Sequence, residues 1–113
     1  MRKPFDSVDL QRWFLDNYDC WGCLVLNKER KDCDTPTCFH HILSEDDDSL
    51  LNAAPMNNDF CHLPFHKKWR MYEFKVELLK LTYDYLKKSG YVLKSKDIDF
   101  IERNAKYYKE FID

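Results

Sequence analysis

Glycine and proline are scarce in this chain of 113 residues, which contains only two glycines and four prolines. This scarcity, with 44% hydrophobic and 16% aromatic residues, argues against a disordered or low-complexity chain. The sequence also lacks a run of 18 apolar residues, which argues against a membrane partner. The N-terminus, MRKPFDSVDL, lacks the apolar segment of a secretory signal. The length of the chain predicts a single domain over residues 1–113, and the lack of a membrane span and of a secretory signal predicts that it is cytoplasmic.

A strong net charge is missing as well, because the formal charge is only −2. Residues 1–62 carry 6 basic and 12 acidic side chains, whereas residues 63–113 carry 12 basic and 8 acidic ones. The second half could therefore face phosphates, while the acidic run at residues 45–48 would repel them, although a solvated surface is the plainer interpretation of both stretches. Tight, unaided binding to duplex DNA is not favoured by this charge. If the chain binds DNA, a protein partner could bring it there, or an unusual DNA structure could be what it binds.

The chain has an odd number of cysteines and no export signal; they are Cys20, Cys23, Cys33, Cys38 and Cys61. Disulfides are disfavoured in a reducing cytosol, so binding of a metal by thiolates is the preferred interpretation. The alternative is that a cysteine, Cys33 or Cys38 above all, is simply a small buried apolar residue.

The hydrophobic pattern predicts several elements. Residues 7–18 favour a short helix within an N-terminal segment 1–19, and Phe39–Leu43 reads as a strand. A long helix is predicted to begin near residue 62 and to be closed by Gly90, and it would be about 40 Å long without a kink. An apolar stripe runs along this predicted helix. Its members are Trp69, Tyr72, Val76, Leu79, Tyr83 and Leu86. A second stripe follows a predicted Ser95 N-cap, with members Ile98, Ile101, Ala105, Tyr108 and Ile112. The two stripes predict a helical hairpin in residues 68–113, but they could equally form a dimer, so the oligomeric state stays open.

All four histidines lie within residues 40–66. His40 and His41 are adjacent on the predicted strand, so their side chains point to opposite sides and cannot share one role. His62 and His66 are four residues apart at the start of a helix, which places them on one face. One strand histidine and the helical pair could therefore bind one divalent ion. The other strand histidine would then be available as a base for phosphodiester hydrolysis, and Asn52 could help to fix the local geometry.

These residues resemble the HNH endonuclease motif, also called the ββα-metal or His-Me finger motif. The resemblance covers residues 20–67 and rests on His40-His41-Ile42, the segment Asn52–Met56, Cys61-His62 and His66. It implies His40, His62 and His66 as metal ligands, His41 as the general base, and Asn52 as the residue that positions His41. Small stand-alone members of the family are frequent in bacteriophages and prophages, which would place this chain in the host cytoplasm.

Many members of that family also contain a structural zinc held by two Cys-x-x-Cys knuckles. Cys20-x-x-Cys23 matches the first knuckle, and Cys61 matches half of the second. The position three before Cys61 is Asn58, which is a poor zinc ligand. The resemblance therefore implies a zinc on Cys20, Cys23 and Cys61, with Cys33 or Cys38 as alternatives for the fourth ligand, or else an empty site.

We therefore expect an α+β fold in which a ββα-metal motif carries an N-terminal helix and a C-terminal helical hairpin. The expected activity is hydrolysis of DNA phosphodiester bonds, as nicks or double-strand cuts, with Mg²⁺, Mn²⁺, Ni²⁺ or Zn²⁺ in the catalytic site. One alternative is a non-catalytic zinc module that binds DNA or protein. A second alternative is a nuclease that acts on RNA or branched DNA.

Overall fold

A computed structural model describes Phe5, Val8, residues 20–26 and residues 36–112. The predicted N-terminal helix at residues 7–18, apart from Val8, and Cys33 lie outside the described residues. The described helices are α1 (Trp21–Leu26), α2 (His66–Trp69), α3 (Tyr72–Lys88), α4 (Ser95–Arg103) and α5 (Ala105–Tyr108). The strands are β1 (Cys38–His41) and β2 (Ala53–Met56), accompanied by a 3₁₀ turn (Leu50–Asn52) and a π-helical turn (Asn58–His62). The protein is therefore a small α+β domain, as expected.

The two strands pair antiparallel, with His40 opposite Ala54 and His41 opposite Ala53. Strand β1 starts one residue before the predicted run and ends two residues before its predicted end. All four residues of β2 are buried, so the sheet is covered on both sides by the rest of the domain. Both histidines thus face alanines across the sheet, and these small side chains leave room for two imidazole rings on neighbouring positions.

The long helix predicted to begin near residue 62 is interrupted twice in the structure and is not one straight helix. The chain first forms the π-helical turn, which Asn57 caps by accepting hydrogen bonds from the amides of Asp59 and Phe60 at 3.1 Å. It breaks again after α2, because Met71 has an extended backbone with ψ 142°. Trp69 fixes this second break: its side chain is fully buried, and its indole N–H donates to the Cys61 carbonyl at 3.1 Å.

Helix α3 lies at the centre of the domain and contacts α1, α2, α5, β2 and the 3₁₀ turn. Leu78, Leu79 and Leu86 are buried in the core. Thr82 connects three elements, since it accepts a hydrogen bond from the Trp21 indole at 3.2 Å and donates to the Ala53 carbonyl at 3.2 Å. No helix in the described ranges is long and apolar enough to cross a membrane.

Gly90 ends α3 as predicted, in a left-handed conformation with φ +80°. The Tyr91 amide donates to the Leu86 carbonyl and the Gly90 amide to the Lys87 carbonyl, which is the pattern of a Schellman cap. The C-terminal helical segment then packs back against α3 through α5.

The predicted second stripe is partly wrong. Ile98 is 47% exposed and Ala105 is exposed, whereas Asp97, Phe100 and Tyr108 face the core. The helix also breaks at Asn104, and this break rotates the face that α5 presents. The predicted Ser95 N-cap is one residue late, because Lys94 is the cap and its amide donates to the Asp97 carboxylate at 2.8 Å.

Candidate metal centres

Three histidines from three different elements meet at one point. His40 comes from β1, His62 ends the π-helical turn, and His66 begins α2. Each offers one ring nitrogen, and the three nitrogens all lie within 4.8 Å of one another. The chain thus brings together the three residues expected to bind a metal, and we call them the histidine centre.

The spacing of the histidine centre fits a shared cation. His40 Nδ1 and His62 Nε2 are 3.1 Å apart. Ligands at about 2.1 Å lie roughly 3.0 Å apart on an octahedron and roughly 3.4 Å apart on a tetrahedron. A direct hydrogen bond would also explain this one pair, but it would not explain why the His66 ring turns toward both other rings, with centroid distances of 6.0 and 5.4 Å. The histidine centre could hold a metal ion, and its geometry is compatible with more than one metal.

Asn58 orients His62 within the histidine centre. Its side-chain oxygen lies 3.0 Å from His62 Nδ1, on the far side of the ring from the nitrogen that faces His40. An acceptor at Nδ1 keeps the proton there and leaves Nε2 with a lone pair for a metal. Cys38 completes this contact, because its Sγ lies 3.6 Å from the Asn58 oxygen and 3.7 Å from His62 Nδ1.

His41 lies beside the histidine centre but is not part of it. Its ring stacks on Phe5, with a centroid distance of 4.3 Å and an interplanar angle of 16°. His41 nevertheless lines the same cavity of about 330 Å³ as His40, His62 and His66. The two adjacent strand histidines therefore have different neighbours, as the alternation of side chains along a strand predicts, and both reach one cavity.

Asn52 organises the loop that follows His41. Its side-chain oxygen accepts from the Leu43 amide at 2.7 Å, and its two N–H groups donate to the carbonyls of Ser44 and Asp47 at 2.8 and 3.0 Å. Because both N–H groups are used, Asn52 has none left to donate to the His41 ring. Asn52 is fully buried, and the Ile42 amide donates to its carbonyl at 2.9 Å. It therefore holds the backbone on the C-terminal side of His41.

The C-terminal helical segment supports this loop from behind. Arg103 donates to the Asp47 carboxylate at 2.8 Å, and Asp47 is buried. The Ser49 hydroxyl donates to the fully buried Asp97 at 2.6 Å, and Tyr91 donates to the other oxygen of Asp97 at 2.9 Å. These contacts connect α4 to the same loop that Asn52 holds, so the C-terminal extension helps to position the site.

A second possible metal centre consists of three buried cysteines. The sulfurs of Cys20, Cys23 and Cys61 all lie within 4.8 Å of one another, and we call them the cysteine cluster. The Cys23 and Cys61 sulfurs are 3.6 Å apart, against about 3.8 Å for two thiolates on a tetrahedral zinc. The Asn57 amide donates to Cys20 Sγ at 3.3 Å, so the backbone of the π-helical turn also contacts this cluster. The cysteine cluster could therefore hold a metal ion.

The remaining cysteines bear on the fourth ligand. Cys38 is not a member of the cysteine cluster but contacts Asn58 and His62. Cys33 lies outside the described residues and is the candidate that stays open. Cys20 and Cys61 are thiols, whereas Cys23 is disulfide-bonded in this structure, so it can bind a metal only after reduction.

Several residues of the site are not evident from sequence patterns. Asn58 stands out in the sequence only as a replaced cysteine, although its contact with His62 gives it a different task. Arg70 and Lys75 line the cavity. The repeated spacing of four residues in His62, His66 and Arg70 is a signal that could have pointed to Arg70.

Comparisons with known proteins do not add to this geometry: no protein-family model, no curated protein and no solved structure matches the chain.

Proposed function

We propose that this protein is a metal-dependent nuclease of the HNH type that hydrolyses DNA phosphodiester bonds. One observation carries the proposal: His40, His62 and His66 converge at a point where one cation fits, and His41 opens onto the same cavity without belonging to their cluster. A metal ion on three ligands beside a separate imidazole can hydrolyse a phosphodiester, because the ion stabilises charge on the phosphate and the imidazole can accept a proton from water. A purely structural metal site would have no use for a fourth histidine beside it.

In this proposal each histidine has a defined task. His40, His62 and His66 hold a divalent ion, with the Asn58 contact fixing the ring of His62. When bound, that ion supplies Lewis-acid stabilisation of charge on the phosphate and on the leaving oxygen. His41 accepts a proton from the attacking water, and stacking on Phe5 limits the rotation of its ring.

Asn52 and the loop that it organises are positioning elements. Asn52 bonds to the backbone of Leu43, Ser44 and Asp47, so it holds the segment directly after His41 in one conformation. We therefore expect Asn52→Ala to reduce turnover through misplacement of His41, while the histidine centre keeps its affinity for metal.

The cysteine cluster is proposed as a structural zinc site. It joins α1 to the π-helical turn through Cys61, which directly precedes the metal-binding His62. A zinc there would fix the start of the segment that carries His62 and His66, and it would add stability to a small core. Removal of zinc under reducing conditions should then lower both the stability of the fold and the affinity of the histidine centre.

The principal rival is a non-catalytic zinc module that binds DNA or protein. The cysteine cluster alone would serve such a module, so this rival rests on one observation, the buried sulfurs at 3.6 Å. It predicts metal binding and partner binding without cleavage. RNA or branched DNA as the substrate is a second alternative that keeps the same chemistry.

Cleavage of supercoiled plasmid separates these functions. The protein is incubated with Mg²⁺, Mn²⁺, Ni²⁺ or Zn²⁺, with and without EDTA, beside His41→Ala and the exposed control Lys80→Ala. We expect nicked or linear product from the wild type and from Lys80→Ala, and loss of product with EDTA or His41→Ala. Cleavage by His41→Ala at the wild-type rate would refute the role of His41. Metal binding without cleavage of plasmid, RNA or four-way junctions would favour the binding module.

A further inference from the structure

The cavity beside the histidine centre carries two cations that the metal chemistry does not use. Arg70 and Lys75 line the cavity together with His40, His41, His62 and His66. Arg70 caps α2 four residues after His66, so one helical turn brings it to the same side as that ligand. Lys75 lies in the first turns of α3 and is half-buried. The break at Met71 allows both residues to reach the cavity from different helices.

The described part of the chain neutralises these cations only in part. Within the part of the chain that the structure describes, no ion pair involves Arg70 or Lys75, whereas Arg103 and Lys96 pair with Asp47 and Asp48. The acidic run at residues 46–48 lines a different cavity together with those paired cations. Among the described residues that line the histidine cavity, Glu45 is the only carboxylate, and it offsets one of the two charges there. The charged side chains of the cavity therefore favour an anion.

We propose that Arg70 and Lys75 form a phosphate-binding subsite that receives the phosphodiester backbone of a nucleic acid strand beside the histidine centre. This inference rests on the proposed nuclease function and adds the residues that hold the substrate. The planar guanidinium of Arg70 donates two parallel N–H bonds to one phosphate, and the Lys75 ammonium supplies a more adaptable point charge to the same or a neighbouring phosphate. The two side chains compensate for the weak overall charge by concentrating positive charge at the place of cleavage.

Salt-dependent binding tests the subsite directly. A fluorescein-labelled oligonucleotide duplex is titrated in increasing NaCl with the His41→Ala variant, which keeps the labelled strand intact. Arg70→Gln and Lys75→Gln are then added to this background, singly and together, with Lys80→Gln as the control on an exposed position of α3. Each lost phosphate contact should reduce the slope of log affinity against log salt by about 1, while Lys80→Gln leaves the slope unchanged. Lys75→Arg keeps the positive charge and should leave the slope of the His41→Ala background unchanged.

The outcomes separate this inference from the proposed function. If the His41→Ala protein binds no duplex, RNA or junction at any salt concentration, the nuclease proposal fails and the subsite fails with it. If the oligonucleotide binds but both glutamine variants keep the wild-type slope, the subsite is refuted and the nuclease proposal stands. Inorganic phosphate serves as the competitor: displacement of the oligonucleotide by phosphate at micromolar concentration would identify a pocket for free phosphate and overturn the assignment to a strand backbone. Thermal melts of all variants check that the fold is intact.

Discussion

Replacing Gly22 with alanine tests whether metal binding by the cysteine cluster depends on the close packing of α1 against Cys61. A Cβ atom on Gly22 would lie 2.7 Å from Cys61 Cβ, 3.1 Å from Cys61 Sγ and 3.2 Å from Trp69 Cζ2. Non-bonded carbon atoms pack at about 3.5 to 4.0 Å, so α1 and Cys61 must separate by about 1 Å. Metal sites tolerate deviations of only about 0.2 Å in ligand distance. Because Cys23 follows Gly22 directly, this movement pulls the Cys23 sulfur away from Cys61.

The size of the effect follows from two opposing contributions. Overpacking in a closed core costs about 1–3 kcal/mol in the free energy of unfolding. Exchange of glycine for alanine within a helix returns roughly 0.5–1 kcal/mol. We therefore expect Gly22→Ala to lower the free energy of unfolding by about 1–2 kcal/mol and to weaken the affinity of the cysteine cluster for a metal ion at least tenfold.

Gly90→Ala provides the matched control. Its Cβ would meet nothing within 4 Å, but φ +80° strains any residue other than glycine, at a cost of about 1–2 kcal/mol. Stability is measured by urea denaturation, and metal binding by Co²⁺ titration under reducing conditions, followed at the thiolate charge-transfer band. Both variants should be destabilised by similar amounts, and only Gly22→Ala should lose Co²⁺ affinity. Wild-type Co²⁺ affinity in Gly22→Ala would refute the close-packed metal site.

Three further predictions concern polar groups of the histidine centre and of the C-terminal helical segment. Asn58→Ala removes the acceptor from His62 Nδ1 and should weaken Mn²⁺ binding at the histidine centre about 10- to 100-fold, followed by electron paramagnetic resonance; unchanged affinity would contradict the orienting role. Asp97→Ala removes an acceptor of three hydrogen bonds and should cost about 3 kcal/mol in urea denaturation, whereas the exposed Asp99→Ala should cost little. The Tyr108 hydroxyl is buried with no hydrogen-bond partner among the described residues, so Tyr108→Phe should leave stability at pH 7 unchanged or slightly raised. Burial, with Asp97 and Asp47 nearby, raises the pKa of Tyr108 above its usual value of about 10, so above that pH the unfolded state loses its proton first. Wild-type stability should then fall with pH by up to about 1.4 kcal/mol per pH unit from this group, and parallel pH profiles for the wild type and Tyr108→Phe would show that the pKa of this tyrosine is not raised.

The sequence predicts the parts of the site that depend on local spacing. The four-residue separation of His62 and His66 places them close together even though the chain between them is a turn rather than a regular helix. The alternation of His40 and His41 likewise separates their neighbours, because a strand turns successive side chains to opposite faces. Both features need only backbone geometry, and both are seen in the structure.

The parts that were missed or misplaced depend on tertiary contacts. The break at Met71 follows Trp69, whose indole N–H donates to the Cys61 carbonyl, and no local pattern predicts this hydrogen bond. Ile98 fits the predicted stripe by spacing, yet the Asp97 contacts with Ser49 and Tyr91 rotate α4 so that Ile98 faces solvent. The task of Asn58 depends on its approach to His62, which a motif that expects cysteine at this position does not reveal.

The pairing of His40 with Ala54 and of His41 with Ala53 has a consequence for how this chain tolerates change in length. Inserting or deleting one residue in the 42–52 connection, so that the strands slid by a single position, would exchange the sides on which the two imidazoles emerge. His41 would then lie on the side of His62 and His66, and His40 would lie against Phe5, so the roles proposed for the two rings would be exchanged. The two rings have the same chemistry and differ in their position along the strand, so a shift of about 3.3 Å along the sheet would exchange their surroundings.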